Sequence, residues 1–132
     1  MGLILMLHSI VRWAIVGVAL VALFRFGLGW LCQSQLSKMD RSLAPVFSGL
    51  MDLQAALGLI YLLWSAFSGD GLPVYRITHT GFMVAAVAAG HLPRKWKDAP
   101  DRIRYRNTFA CIGGSLLLIA IGVFILPQGW TG

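Results

Sequence analysis

The sequence predicts an all-α membrane protein: one domain of four transmembrane helices in an up-and-down bundle. Of its 132 residues 58% are hydrophobic and only 12% charged, with a mean hydropathy of +0.74. A soluble domain needs roughly a quarter charged residues to cover its surface. Four long apolar stretches take up most of the length. Nine of the eleven lysines and arginines fall in two short segments, Arg25 to Arg41 and Arg94 to Arg106, the distribution of membrane loops held at an anionic leaflet. A soluble catalytic domain has no room in such a chain, and no nucleic-acid partner is expected.

A hydrocarbon core of about 30 Å takes about 20 helical residues, because a helix pairs every backbone polar group internally. The first span covers about 3–31, with Arg25 reaching toward the headgroups. The second covers about 43–67, with Pro45 in its first turn. The third, about 73–92, follows the turn residues Ser68, Gly69, Asp70 and Gly71 and is stopped by Pro93. The fourth covers about 107–126 and is stopped by Pro127.

The positive charge sits in loops 32–42 and 93–106, which makes both cytoplasmic and puts both termini outside. Anionic lipid headgroups are the expected partner of 94–106. Trp64, Tyr75 and Trp130 then fall at the outer interface and Trp30, Trp96 and Tyr105 at the inner one. The first span reads as a retained helix rather than a cleaved signal peptide, since no positive charge precedes it and Arg12 interrupts it. Cys32 and Cys111 lie in the cytoplasmic half, where thiols stay reduced. No C-x-x-C-H or zinc-type cluster occurs.

Ionisable groups within a span are costly and mark the first places to look for function. They are His8 and Arg12 on helix one, Asp52 with its neighbour Gln54 on helix two, and His79 and His91 on helix three. His8 and Arg12, four apart, share a helix face. Asp52 and Gln54 point about 200° apart and flank a face of Ser48, Met51, Ala55, Gly58 and Leu62. Similar depth makes Arg12 the expected partner of Asp52, as a structural intramembrane pair.

His8 and His79 each lie five or six residues inside parallel helices, at similar depth. Across a bundle with neighbours about 10 Å apart the diagonal is roughly 14 Å, a gap that two imidazoles and a haem iron fill. Arg76, one turn before His79, and Arg12 are placed to meet haem propionates. The bland alternative is that both histidines bond to backbone or headgroups. Gly81, Ala85, Ala86 and Ala89 on helix three either leave room for a macrocycle or allow close packing. His91, about 18 Å further along, cannot share that iron and is expected at the interface.

The strings Leu7-His8-Ser9-Ile10-Val11-Arg12-Trp13, Asp52-Leu53-Gln54 followed by Leu57-Gly58-Leu59, and His79 leading into Phe82-Met83 together resemble a family of small four-span bacterial membrane proteins labelled cytochrome b-like. The resemblance implies a bacterial inner membrane location and keeps His8 and His79 as the candidate ligands of haem b. One expectation is therefore a small subunit associated with an electron-transfer complex, without catalytic activity of its own. Another is a cofactor-free accessory subunit of a larger respiratory or photosynthetic membrane complex, docking through small-residue faces of helices two and three. A small transporter fits the size but not the chemistry, since helix one carries Arg12 in place of a carboxylate and the chain has no glutamate.

Overall fold

The computed structural model describes residues 2–32, 38–69, 71 and 73–127, the side chain of Met39 excepted. They form α1 (Gly2–Cys32), α2 (Lys38–Phe67), α3 (Val74–His91) and α4 (Asp101–Phe124), with a short 3-10 helix at Leu92–Trp96. Each helix packs on two others, α1 and α3 both against α2 and α4, so the chain closes into a four-helix ring. Every neighbouring pair is antiparallel. The side chain of Gln54 reaches the His8 backbone while Arg25 reaches Asp40, and His79 meets Gly122 while Ser115 meets Ala86.

Two helices start earlier than their apolar stretches suggest. α2 begins at Lys38 rather than near Leu43, and α4 at Asp101 rather than near Asn107. Apolar residues mark only the part of a helix facing an apolar environment. The extra turns are charged, with Asp40 and Asp101 set at the positive ends of their helices. Pro45 consequently lies inside α2, not in its first turn. Its missing N–H removes one rung of the helix ladder, and Ser48 Oγ donates to its carbonyl at 3.1 Å. The turn into α3 uses Gly69 and Gly71 at φ of 95° and 74°, a conformation only glycine adopts without strain. Asp70 and Trp130 lie outside the described residues.

The apolar surface faces outward. Leu20, Phe24, Leu59, Ile60, Val84 and Leu117 are all exposed, whereas the buried core is a thin seam that includes Ile15, Ala19, Ala22, Met51, Ala86, Ile112 and Ile119. Such an exterior suits hydrocarbon better than water. α1, α2 from Asp40 and α4 are long and apolar enough to cross a membrane. α3, with Arg76, Thr78, His79, Thr80 and His91 among its 18 residues, is not. Its two threonines bond back to the carbonyls of Val74 and Arg76, so neither hydroxyl is left bare.

One polar clasp joins three helices at the basic end. Asp40, 1% exposed, accepts from Arg25 Nε at 3.0 Å and Nη2 at 3.2 Å, and from the Tyr105 hydroxyl at 3.0 Å. Arg25 is thus held by a carboxylate rather than extended to headgroups. Tyr105 is likewise a core residue, 1% exposed, and not an interfacial ring. Its ring packs edge-on against Phe26 and lies where a side chain at Gly29 would have to go, so Gly29 allows α1 and α4 to meet.

Replacing Asp40 with Ala leaves a buried Tyr105 hydroxyl and a cation without their acceptor. It should cost about 2–3 kcal/mol, read as a lowered Tm in detergent. Tyr105→Phe, which leaves the Arg25 pair intact, should cost about 1.5 kcal/mol.

Candidate functional site

The end of the bundle away from the clasp gathers His8 and Arg12 from α1, Gln54 and Tyr61 from α2, and Arg76 and His79 from α3. Helical spacing sets each of these. His8 and Arg12 stack one turn apart, as do Arg76 and His79, while Gln54 and Tyr61, seven apart, share the inner side of α2. Among the described residues the acids are Asp40, Asp52, Asp98 and Asp101, none of which contacts this group. The site is rich in cation-capable side chains and poor in anions.

His79 is anchored by its Nδ1, 2.8 Å from the Gly122 carbonyl oxygen. A carbonyl only accepts, so Nδ1 carries a proton, and in the neutral ring Nε2 keeps its lone pair. That is the arrangement in which a metal-ligating histidine is ordinarily held: one ring N–H to a backbone carbonyl, the other nitrogen available. Gly122 lets α3 and α4 pack closely here, because a Cβ there would lie 3.1 Å from the Phe82 Cβ and clash with the end of the Met83 side chain, while standing at ordinary contact distance from the His79 ring.

His8 is held differently. Its backbone carbonyl accepts from Gln54 Nε2 at 2.9 Å, and its ring lies over Gly58, whose added Cβ would stand 3.4 Å from Cε1. Its Nδ1 is buried without a partner, as is Gln54 Oε1. His8 and His79 are near enough to interact electrostatically. A glycine of a neighbouring helix packs against each of the two imidazoles. Among the described residues no three histidines, cysteines or acids gather, so the two imidazoles are the metal-capable groups here.

Arg12 bonds Ser9 Oγ at 3.3 Å and lies 5.3 Å from the Trp13 ring centroid. Arg76 stacks on Tyr61, also at 5.3 Å, and its Nη1 is buried without a hydrogen bond. The contact with Tyr61 had no sequence signal beyond a tyrosine at matching depth.

Two expected placements are corrected. Asp52 does not pair with Arg12; it accepts from His91 Nε2 at 2.8 Å. The two residues had been matched by depth, but Asp52 is on the outer side of α2 and 55% exposed. The inner side is formed by Phe47, Ser48, Met51 and Gln54, and Ala55 too points outward. His91, the last residue of α3, accordingly engages a carboxylate. Gly81 and Ala85 line an open groove with Thr78, Phe82 and Leu118 on the outside of α3 and α4, while Ala86 alone of the small α3 residues noted is fully buried, its carbonyl accepting from Ser115 at 2.8 Å.

Gly122→Val should force α3 from α4 and break the His79 bond, lowering Tm by several degrees. Gly114→Ala, where an added Cβ meets nothing within 4 Å, should leave stability within about 0.5 kcal/mol of wild type, with Tm nearly unchanged. Equal effects of the two would show that the His79 anchor does not matter to packing.

No protein family, no curated protein and no solved structure matches the chain.

Proposed function

We propose that the protein is a small bacterial inner-membrane subunit of an electron-transfer complex that holds a b-type haem between His8 and His79. In this reading all four helices cross the bilayer with both termini outside, and loops 32–42 and 93–106 are cytoplasmic. The observation that carries it is the state of the two rings: His79 with Nδ1–H tied to a carbonyl and Nε2 left available, and His8 buried nearby with no partner on Nδ1. The residues fit the group.

A haem so held supplies a one-electron couple. The chain's own contribution is to fix the rings and balance charge. Gly122 sets the tautomer and orientation of His79, and Gln54 pins the His8 backbone. Arg76, with a buried donor to spare, and Arg12 would offset the propionate charge of such a haem. Gly58 leaves room for the His8 ring against α2.

The protein purified in mild detergent, after supply of haem during expression, should show a b-type Soret and α band in the dithionite-reduced minus oxidised spectrum. Both His8→Ala and His79→Ala should abolish it. A colourless wild-type protein, or a spectrum surviving either substitution, overturns the reading. The remaining assignment would then be a cofactor-free accessory subunit, for which the exposed Arg94 and Lys95 of the basic segment offer a docking surface.

A further inference from the structure

α3 stops short of its neighbours. Its last residue is His91, and the chain passes directly into the 3-10 helix Leu92–Trp96, which packs on α4. On the outside of the bundle at this step, Asp52 of α2 accepts from His91 Nε2 at 2.8 Å. The carboxylate is 55% exposed. With Oδ1 taken by His91, Oδ2 makes no hydrogen bond among the described residues, and it remains an acceptor in either charge state of the imidazole.

Cations stand next to it. In a 3-10 helix residues three apart eclipse, and His91 caps the start of this one, so Arg94 follows His91 on the same side, one turn further on, with Lys95 beside it. Both are exposed, and among the described residues neither makes an ion pair or a side-chain hydrogen bond. Leu53 and Leu92, the chain neighbours of Asp52 and His91, are 48% and 43% exposed. One open carboxylate oxygen, two open cations and two exposed leucines are thus gathered where α3 ends.

A simple anion does not match this group, since Asp52 repels it, and a simple cation is repelled by Arg94 and Lys95. The match is a molecule that carries an ammonium and a phosphate side by side and an apolar tail. We propose that the end of α3 binds phosphatidylethanolamine: the ammonium donates to Asp52 Oδ2, the phosphate accepts from Arg94 and Lys95, and an acyl chain lies on Leu53 and Leu92. The inference rests on the membrane arrangement proposed above, which sets the 3-10 helix at the cytoplasmic headgroups, and not on a bound haem. Phosphatidylcholine has the same phosphate and the same net charge, but its trimethylated nitrogen has no N–H to give.

The test is native mass spectrometry of the full chain in mild detergent, with the dioleoyl forms of the two lipids added in equal amount. Wild type should retain phosphatidylethanolamine over phosphatidylcholine by about tenfold, as one charge-assisted hydrogen bond supplies. Asp52→Asn, whose amide oxygen can still accept from His91, should bring the ratio close to one while leaving phosphatidylcholine binding in place, which separates loss of the contact from loss of folding. Arg94→Ala combined with Lys95→Ala should lower retention of both lipids several-fold. Equal retention by wild type, a preference that survives Asp52→Asn, or binding untouched by the double substitution would each overturn the proposal. The lipid choice is read alike from a coloured or a colourless preparation, so its failure is distinguishable from failure of the haem assignment.

Discussion

The carboxylate of Asp40 is the constraint on which the bundle depends. Between helices surrounded by hydrocarbon there is little hydrophobic drive to associate, since lipid tails are as apolar as leucine. Close packing of small residues and a few interhelical hydrogen bonds must do what a core does in water. Asp40 accepts from α1 and α4 while belonging to α2, so one buried group sets the mutual height of three helices. α3 is then placed by two further bonds to α4, from Ser115 to the Ala86 carbonyl and from His79 to the Gly122 carbonyl. These fix which side of α3 faces inward.

That dependence explains what the sequence could and could not tell. The existence and type of all four helices followed from apolar length, and Pro93 and the Ser68–Gly71 stretch marked the ends of α3 and α2 within a residue or two. The starts of α2 and α4 were hidden because their first turns are charged. Arg12 and Asp52 do both lie well inside their helices. What depth cannot supply is azimuth. A two-residue spacing leaves Asp52 and Gln54 on different sides, and which of them turns inward was decided by Phe47, Ser48 and Met51, whose burial no periodicity disclosed. Tyr105 shows the same limit, reading as an interfacial aromatic while serving as a buried donor to Asp40.

At the candidate site the histidines, read from sequence, proved to be held by groups that sequence does not display. The Gly122 carbonyl and the glycine positions 58 and 122 matter through their lack of a side chain. Gln54 stood out as an intramembrane polar residue, yet its role, a donor to the His8 backbone, emerges only from the register of α1 against α2. Arg12, Arg76 and the two imidazoles stand at one end of the bundle, while the buried acid, Asp40, stands at the other among most of the lysines and arginines. An anionic ligand at the former meets no built-in competitor among the described residues.

The polarity of α3 bears on how the chain would enter a membrane. With Arg76 near its start, His79 within it and His91 at its end, α3 falls short of the apolar stretch that the other three helices have for crossing a membrane. α4 is more apolar and carries the matching acceptor and donor, the Gly122 carbonyl and the Ser115 hydroxyl. The connection between the two helices is only nine residues, half of them already coiled as a 3-10 turn. In the membrane arrangement proposed above, the last two helices would then partition as a hairpin. The third would wait at the translocon until its successor is synthesised, and truncation before α4 would leave it outside the bilayer.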